Sequence, residues 1–505
     1  MSEPRILMVV PASLYDPKDP FTTGVVYMPI GLAYGVSALI QSKMEVKVLD
    51  MFGESPKQVN GLGSLVRLGI GDDILLREIE LFNPEFVIFY ANQLVNHQAL
   101  IESTRTTKRH FPDKTIVVVE NTQAVTAYQV TKVAQEFFSN GADILLSGEM
   151  EVKLIEIINK TLEGIPPTSL NIDGVSVPNR IRFSLEQIPK IDDLLFPSWN
   201  LFPIKNYWDL GYAHGPMETD SYLPLLTSRG CPFPCKFCVI PATNNRKWRF
   251  RNASNVVDEI QFMIEKYGVK EFHIEDLNPT ISDRRMQDIA TDIIARGLDI
   301  KWKIVAGTKI ETIKSIETMS LLSRSGLKYV SMSPESGSTR VQREIGKMFD
   351  VGHAIKQIRF CRRSGIFTQA CFVLGFPSET ERDRLRSLGL ALKMTLAGVD
   401  EIVVFIMTPV PGSATFDQFQ GQYESLSALT FSPRWRSDFT KLLLWRVIIY
   451  SGFLLTKFLS HPFKILRQLR NLLSGRYETK MEMVPLRGLK YLRLSRSTLK
   501  YRSYN

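Results

Sequence analysis

The sequence predicts an α/β protein of more than one domain, and three observations carry that expectation. Short apolar runs alternate with amphipathic stretches from the first residues to about residue 410, the rhythm of parallel strands joined by helices. At 505 residues the chain exceeds what one hydrophobic core holds, so it should divide. The rhythm also breaks once, over residues 164–221, which carry seven of the 27 prolines.

Ahead of the break, strands are expected at Ile6–Val10, Val46–Leu49, Phe86–Tyr90, Thr115–Val119 and Asp143–Leu146. Helical patterns lie between them near Pro29–Gln41, Asp73–Leu81, Asn96–Phe111, Gln123–Phe138 and Glu151–Leu162. Five buried-type strands separated by helices argue a doubly wound, Rossmann-like domain over 1–163, whose ligand site lies at the carboxyl ends of the strands. Residues 164–221 read as a linker with a hairpin-like Val175–Phe183.

The rhythm resumes with strands at Leu223–Thr227, Phe272–Glu275, Trp302–Val305, Tyr329–Ser331, Ala370–Leu374 and Ile402–Ile406. Helices such as Asn255–Lys266, Arg284–Arg296 and Ala354–Arg363 follow them. Six βα units, placed in a domain spanning 222–420, are too few for a closed eight-stranded barrel.

Composition, with 44% apolar and 23% charged residues, is that of an ordinary folded protein. The net charge of +10 is uneven. Ser432–Asn505 holds sixteen Lys or Arg against Asp438, Glu478 and Glu482, so that segment alone carries +13. The basicity belongs to the C-terminal region 421–505, and no nucleic-acid partner is expected.

Three of five cysteines fall in eight residues, Cys231-Pro-Phe-Pro-Cys235-Lys-Phe-Cys238. Three thiolates on one loop can hold three irons of a four-iron cluster and leave the fourth iron open. Zinc is the rival reading, but it wants a fourth ligand, and the next cysteine is Cys361. Clustered thiols in an odd number also argue against a disulfide framework, and cytoplasmic residence is expected. Cys361 and Cys371 read as small buried hydrophobes.

The cysteine motif resembles the cluster loop of radical S-adenosylmethionine (SAM) enzymes. That resemblance implies an open six-stranded (β/α)6 partial TIM barrel, a [4Fe-4S] cluster, and SAM bound to the open iron and cleaved to a 5′-deoxyadenosyl radical. Further motifs follow in order. Glu275-Asp276 resembles the acidic turn near the SAM amino group. Pro334-Glu335-Ser336-Gly337-Ser338 is similar to Gly-Ile-Glu-Ser-Gly-Ser, with Ser333-Pro334 in place of Gly-Ile, and implies Glu335 and Ser336 as SAM contacts. Gly375-Phe-Pro377-Ser-Glu-Thr380 resembles Gly-x-Pro-Gly-Glu-Thr, and Thr408-Pro-Val-Pro-Gly412 resembles a Pro-x-Pro-Gly turn. Trp248-Arg-Phe-Arg251 matches another stretch of the family, where Arg249 and Arg251 are either structural or substrate contacts; Lys236 in the cysteine loop would tune electrostatics.

The N-terminal layout resembles the cobalamin-binding domain of one large subfamily, in Pro29-Ile-Gly-Leu-Ala-Tyr-Gly35, Glu45-Val-Lys-Val-Leu-Asp50 and Ser147-Gly-Glu-Met-Glu151. Glu120-Asn-Thr-Gln123 stands where that subfamily carries Gly-Gly-x-His, and no Asp-x-His-x-x-Gly motif offers a histidine to cobalt. Two readings remain open. Either cobalamin binds without a protein histidine, with Asn121, Thr122 and Gln123 near its nucleotide tail, or the fold persists and cobalamin binding is lost.

Leu442–Leu459 is very apolar but is broken by Arg446, Gly452 and Lys457, and Phe463–Leu473 continues as a basic amphipathic stretch. A cap on the barrel and a peripheral contact with an anionic membrane at its inner face are both expected. The function implied is radical C-methylation of an unactivated carbon on a lipid or natural product, supplied by a flavodoxin- or ferredoxin-type electron donor. Radical ring formation or rearrangement of a lipid or tetrapyrrole, and a non-catalytic iron–sulfur or corrinoid carrier, are the alternatives. No residue stands out as a general acid or base.

Overall fold

A computed structural model describes residues 3–16, 26–62, 65–184, 187–188, 190–430, 432–475, 477–485 and 487–490. The last part of the basic tail, 491–505, lies outside the described residues. The protein is mixed α/β, with two six-stranded sheets that are parallel almost throughout.

The first sheet holds β1 (Arg5–Val10), β2 (Glu45–Asp50), β3 (Phe86–Ala91), β4 (Thr115–Glu120), β5 (Ile144–Leu146) and β6 (Val175–Ser176), in the order β2-β1-β3-β4-β5-β6. Only β6 is antiparallel. Its strands are apolar at successive positions because helices cover both faces. Ile6, Met8 and Val10 enter one core, while Leu7 and Val9 enter the other. The order reverses between β1 and β3, the crevice where such sheets receive ligands.

The segment expected as a linker is a packed strap. Trp199 and Tyr207 are fully buried, and the Tyr207 hydroxyl donates to Asp50 Oδ2 at 2.7 Å. The expected hairpin lends β6 to the edge of the first sheet and turns back through a Val177–Arg180 bridge. A small antiparallel sheet (Ser13–Tyr15, Val59–Leu62, Leu65–Leu68) has no counterpart in the sequence reading.

The helix expected over Gln123–Phe138 is much shorter, a 3-10 turn at Val130–Val133 running into Ala134–Ser139. The Glu120 carboxylate accepts from the Val130 N–H at 3.0 Å, and the Gln129 N–H donates to the Pro411 carbonyl at 3.0 Å. Those bonds tie down residues 121–129, which are non-helical and turn at Val125–Thr126.

The second sheet is β7 (Leu223–Leu225), β8 (Glu271–Ile274), β9 (Lys301–Thr308), β10 (Leu327–Glu335), β11 (Phe367–Leu374) and β12 (Glu401–Ile406), all parallel and in sequence order, with β7 and β12 unpaired to one another. Two late helices lie beside β12. α1 (Phe439–Ser460) is fastened by the Trp445 indole N–H to Glu381 Oε2 at 2.6 Å, and by the Val404 N–H to the Tyr450 hydroxyl at 3.1 Å. α2 (Pro462–Ser474) starts at Pro462, a residue suited to the first helical position, and its Lys464 reaches Asp400 Oδ1 at 2.6 Å. The apolar C-terminal stretch therefore caps the edge strand, as the sequence allowed.

Candidate active site

The cysteine loop leaves a short hairpin, Ser228–Gly230 against Trp248–Phe250. Gly230 adopts φ +79°, and a Cβ there would lie 2.1 Å from the Lys247 carbonyl oxygen, so the exit needs glycine. The loop is tied down elsewhere. The Lys236 N–H donates to the Ile345 carbonyl at 2.9 Å, and the Pro234 carbonyl lies so near Gly346 that a Cβ would approach it to 2.7 Å.

Cys231, Cys235 and Cys238 are free thiols that line one cavity. Among the described residues no three acidic, His or Cys side chains are gathered as ligands of a single ion. The three thiolates of a cubane cluster bind three different irons and need not converge on one ion. Burial pushes all three thiols up, Cys238 to about 12, although backbone N–H groups of Phe233 and Ile240 and the cation of Lys347 favour the thiolates. A buried set of thiols with donors and a cation at hand fits a cluster that keeps them as thiolates.

The cation beside the cysteines is not Lys236, which is exposed, but Lys347, with Lys309 near Cys231 and Cys235. Burial opposes the Lys347 charge, yet the Glu335 carboxylate and the cysteines outweigh it and hold its pKa above the ordinary value. Lys309 sits over the Phe233 ring at 4.9 Å.

The cavity has a volume of about 720 Å³. One wall is the inner face of the second sheet, with Val305, Ser331, Glu335, Cys371 and Val403; opposite it stand Tyr27, Leu94, Val95, Val125 and Thr126 of the first domain. Helix α1 and the segment from Lys480 to Arg487 complete it.

The sequence-predicted residues separate in space. Glu275 and Glu335 both border cavities, but Asp276 is spent on the chain itself, accepting from the Thr227 N–H at 2.6 Å, the Thr227 hydroxyl at 2.7 Å and the Ser228 hydroxyl. Ser336 is fully buried, 3.3 Å from the Ser387 hydroxyl. Gly375 lies beneath the C-terminal region, its carbonyl accepting from Arg436 Nη2 at 2.9 Å, and Pro377 is exposed. Cys361 is buried as expected; Cys371 instead borders the cavity, its thiol pushed up to about 11 by burial.

Asn121, Thr122 and Gln123 are buried at the end of β4. Asn121 and Gln123 border a smaller pocket of about 30 Å³ shared with Tyr27, Gly31 and Glu275. Asn121 donates to the Asn92 carbonyl at 2.8 Å, Asn244 Nδ2 reaches the Thr122 carbonyl at 3.1 Å, and Gln123 Oε1 is buried without a partner among the described residues. An orphaned amide oxygen at the ligand-binding edge of a doubly wound sheet suits a donor on a bound group. The described histidine following β3, His97, has Nδ1 2.8 Å from the Tyr128 hydroxyl, while its buried Nε2 lies 3.2 Å from Glu136 without forming a hydrogen bond.

Two cavity groups, His214 and Lys480, escaped the sequence reading. His214, in the proline-rich strap, lies with Nδ1 2.7 Å from Glu275 Oε2 and its ring 4.5 Å from that of Tyr27. Burial lowers the His214 pKa well below its ordinary value, and burial raises Glu275 to about 8, so the pair favours neutral partners. Lys480 reaches the Val305 carbonyl at 3.2 Å, without a carboxylate in ion-pair range among the described residues. A lone histidine in a strap and a lysine in a basic tail carry no local signal of such placement.

The Gly-Glu turn closing the first domain is a clasp. Glu149 takes both guanidinium nitrogens of Arg249, at 2.6 and 2.9 Å, and Glu151 pairs with Arg229 at 2.5 Å. Arg251 is likewise internal, bonded to Glu259 and to the Tyr34 hydroxyl. Both arginines of the Trp248–Arg251 stretch thus bind protein groups.

Comparison with known proteins adds three findings. Residues 225–391 match the model of the Radical SAM superfamily. An uncharacterized methyltransferase of Pyrococcus horikoshii is 24% identical over 441 residues, covering 86% of this chain and 85% of its own, and the cytidylyl-2-hydroxyethylphosphonate methyltransferase of Streptomyces wedmorensis is 26% identical, covering 80% of each. The fold is similar to that of the radical SAM methyltransferase TsrM from Kitasatospora setae, solved with cobalamin and a [4Fe-4S] cluster, with a TM-score of 0.60, 14% identity, and coverage of 83% of this chain and 74% of that one.

Proposed function

We propose that this chain, whose residues 225–391 match the Radical SAM superfamily, works as a radical SAM enzyme that methylates an unactivated carbon with the help of a bound cobalamin. The observation that carries the reading is the shared cavity: the cysteine loop of the second domain and the loops at the carboxyl edge of the first open on the same space. The methyltransferase names of the relatives and the fold likeness to a cobalamin-bound structure support it.

The domain implies a [4Fe-4S] cluster and SAM, and Cys231, Cys235 and Cys238 are the residues that would hold the cluster. Asn121, Thr122 and Gln123 would face the corrinoid. When bound, cluster and SAM supply a hydrogen-abstracting radical, and the corrinoid supplies a methyl group. The chain's own contribution is to position and exclude water. Glu335, which borders the cysteine cavity, would offer its carboxylate to the SAM amino group, while His214 fixes the orientation of Glu275 in the smaller pocket. Apolar walls from Leu94, Leu277, Phe405 and Met407 suit a substrate with an apolar body, a lipid or natural product, while Lys480 and Arg487 offer positive charge to an acidic group on it. A small reducing protein of the flavodoxin or ferredoxin type is the proposed electron donor.

The test is to incubate anaerobically reconstituted protein with cobalamin, a reductant, methyl-deuterated SAM and a lipid extract. The expected products are 5′-deoxyadenosine and a lipid carrying all three deuterons. Deoxyadenosine without a labelled product would assign a non-methylating radical reaction, and absence of both would leave only a carrier.

A further inference from the structure

Helix α1 buries a narrow stripe and exposes a broad apolar one. Leu442, Ile449, Phe453 and Lys457 turn inwards, whereas Leu444, Val447, Leu455, Phe458 and Leu459 lie open, Leu459 at 73%. The exposed series continues past Pro462 onto α2 as Phe463, Leu466, Leu469 and Leu473, spaced as one helical face, with Phe463 82% and Leu473 92% exposed. A run of this extent far exceeds the scattered apolar residues of an ordinary surface.

Charge narrows the occupant. From Phe439 to Ser474 there are six Lys or Arg and no Asp or Glu. Acids from neighbouring elements meet three of them, Glu381 at Lys441, Asp400 at Lys464 and Glu478 at Arg467, but Arg470 is exposed and has no carboxylate partner among the described residues. A second copy docked face to face would set these cations against themselves. An anionic lipid surface accepts both the apolar row and the cations. Crossing a bilayer is disfavoured, although α1 is long and apolar enough by length and composition. Its Lys457 is buried against the Asp400 carbonyl at 2.5 Å, and Trp445 and Tyr450 fasten it to the second domain.

The face also adjoins the cavity. Leu443, Arg446, Val447 and Tyr450 of α1 line it, and Val447 and Phe405 are at once cavity-lining and exposed, so the cavity reaches the surface along this helix.

We propose that α1 and α2 dock the protein on an anionic lipid surface, with the cavity opening beside α1 turned to that surface. An apolar substrate then passes from bilayer to cavity without crossing water. The docking itself does not depend on the cobalamin reading.

Sedimentation of the full-length protein with vesicles tests it, comparing pure phosphatidylcholine with phosphatidylcholine containing about a third phosphatidylglycerol. The protein should bind the anionic vesicles about tenfold or more tightly, and lose most of that preference in roughly 0.5 M salt. Leu455→Glu/Leu459→Glu and Phe463→Glu/Leu473→Glu replace exposed residues, and iron content with circular dichroism would verify folding. Each should weaken binding about tenfold or more, and Arg470→Glu several-fold, since each cation near such a surface strengthens binding about fivefold. Absence of vesicle binding, or binding indifferent to all three variants, overturns the proposal; concentration-dependent dimerisation lost in the same variants would give the face to a second copy. None of these readouts needs SAM or a corrinoid, so the result is separate from the fate of the methylation reading.

Discussion

Glu335 ends β10 in the left-handed backbone region, φ +60°, and its Oε1 lies 2.6 Å from Lys347 Nζ, beside the cysteine loop. A non-glycine residue held there is strained by about 1–3 kcal/mol, and the strain aims the carboxylate into the cavity rather than along the strand. The pair couples the end of β10 to the charge surrounding the cysteines.

Lys347→Met should therefore act twice. Leaving Glu335 without its partner should lower stability by about 3 kcal/mol, read by chemical denaturation. Removing a positive charge near the cluster should also make its reduction potential more negative, read by an electron-paramagnetic-resonance redox titration. An unchanged potential would show that Lys347 supports the loop only sterically.

Replacing Cys231, Cys235 or Cys238 with Ala, one at a time, should abolish both the bound iron, about four atoms per chain in the parent, and the formation of 5′-deoxyadenosine. Cys361→Ala should keep both, because Cys361 lies in the core away from the cavity. Activity surviving in any of the first three would remove that residue from the ligand set.

How much of this was legible in the sequence depends on range. The strands of both sheets were readable because residues such as Ile6 to Val10 are apolar on both faces, and the cysteine loop because its three ligands are local. The helix over Gln123–Phe138 was misread because the Glu120 side chain captures the Val130 N–H, a bond that periodicity cannot anticipate. Asp276, Ser336 and Gly375 sit in recognisable motifs, yet their polar atoms are engaged by Thr227, Ser387 and Arg436. His214, Lys480 and the arginine partners of Glu149 come from segments more than 60 residues from what they meet, and only folding unites them.

The clasp between the halves should be measurable by a double-mutant cycle on Glu149 and Arg249. Arg249→Ala should cost on the order of 3 kcal/mol, since it leaves a buried carboxylate with Arg229 at 3.4 Å and the Ile188 N–H at 2.7 Å for compensation. The coupling between the two residues should be about 1–3 kcal/mol. Additive losses would show that Glu149 gains its stability elsewhere.

The Glu275 carboxyl gives a pH signature. Burial raises it from the ordinary 4.5 to about 8, so between those values the folded protein holds a proton that the unfolded chain has released. Stability from this group is complete below pH 4.5 and is lost as pH rises towards 8. His214 works in the opposite sense at lower pH, since burial depresses its pKa and protonation favours the unfolded chain. Glu275→Gln isolates the carboxyl: the stability difference between parent and variant should fall by a few kcal/mol from pH 5 to pH 8.5. A pH-independent difference would mean that Glu275 is ionised throughout.

Corrinoid uptake by the purified protein tests the central claim most directly. After anaerobic incubation with hydroxocobalamin and removal of the excess, about one corrinoid per chain should remain, with a base-off absorption spectrum, because the sequence carries no Asp-x-His-x-x-Gly motif to offer cobalt a histidine. Retention of no corrinoid would contradict the account, leaving a radical SAM enzyme whose first domain keeps the shape of the site without its ligand.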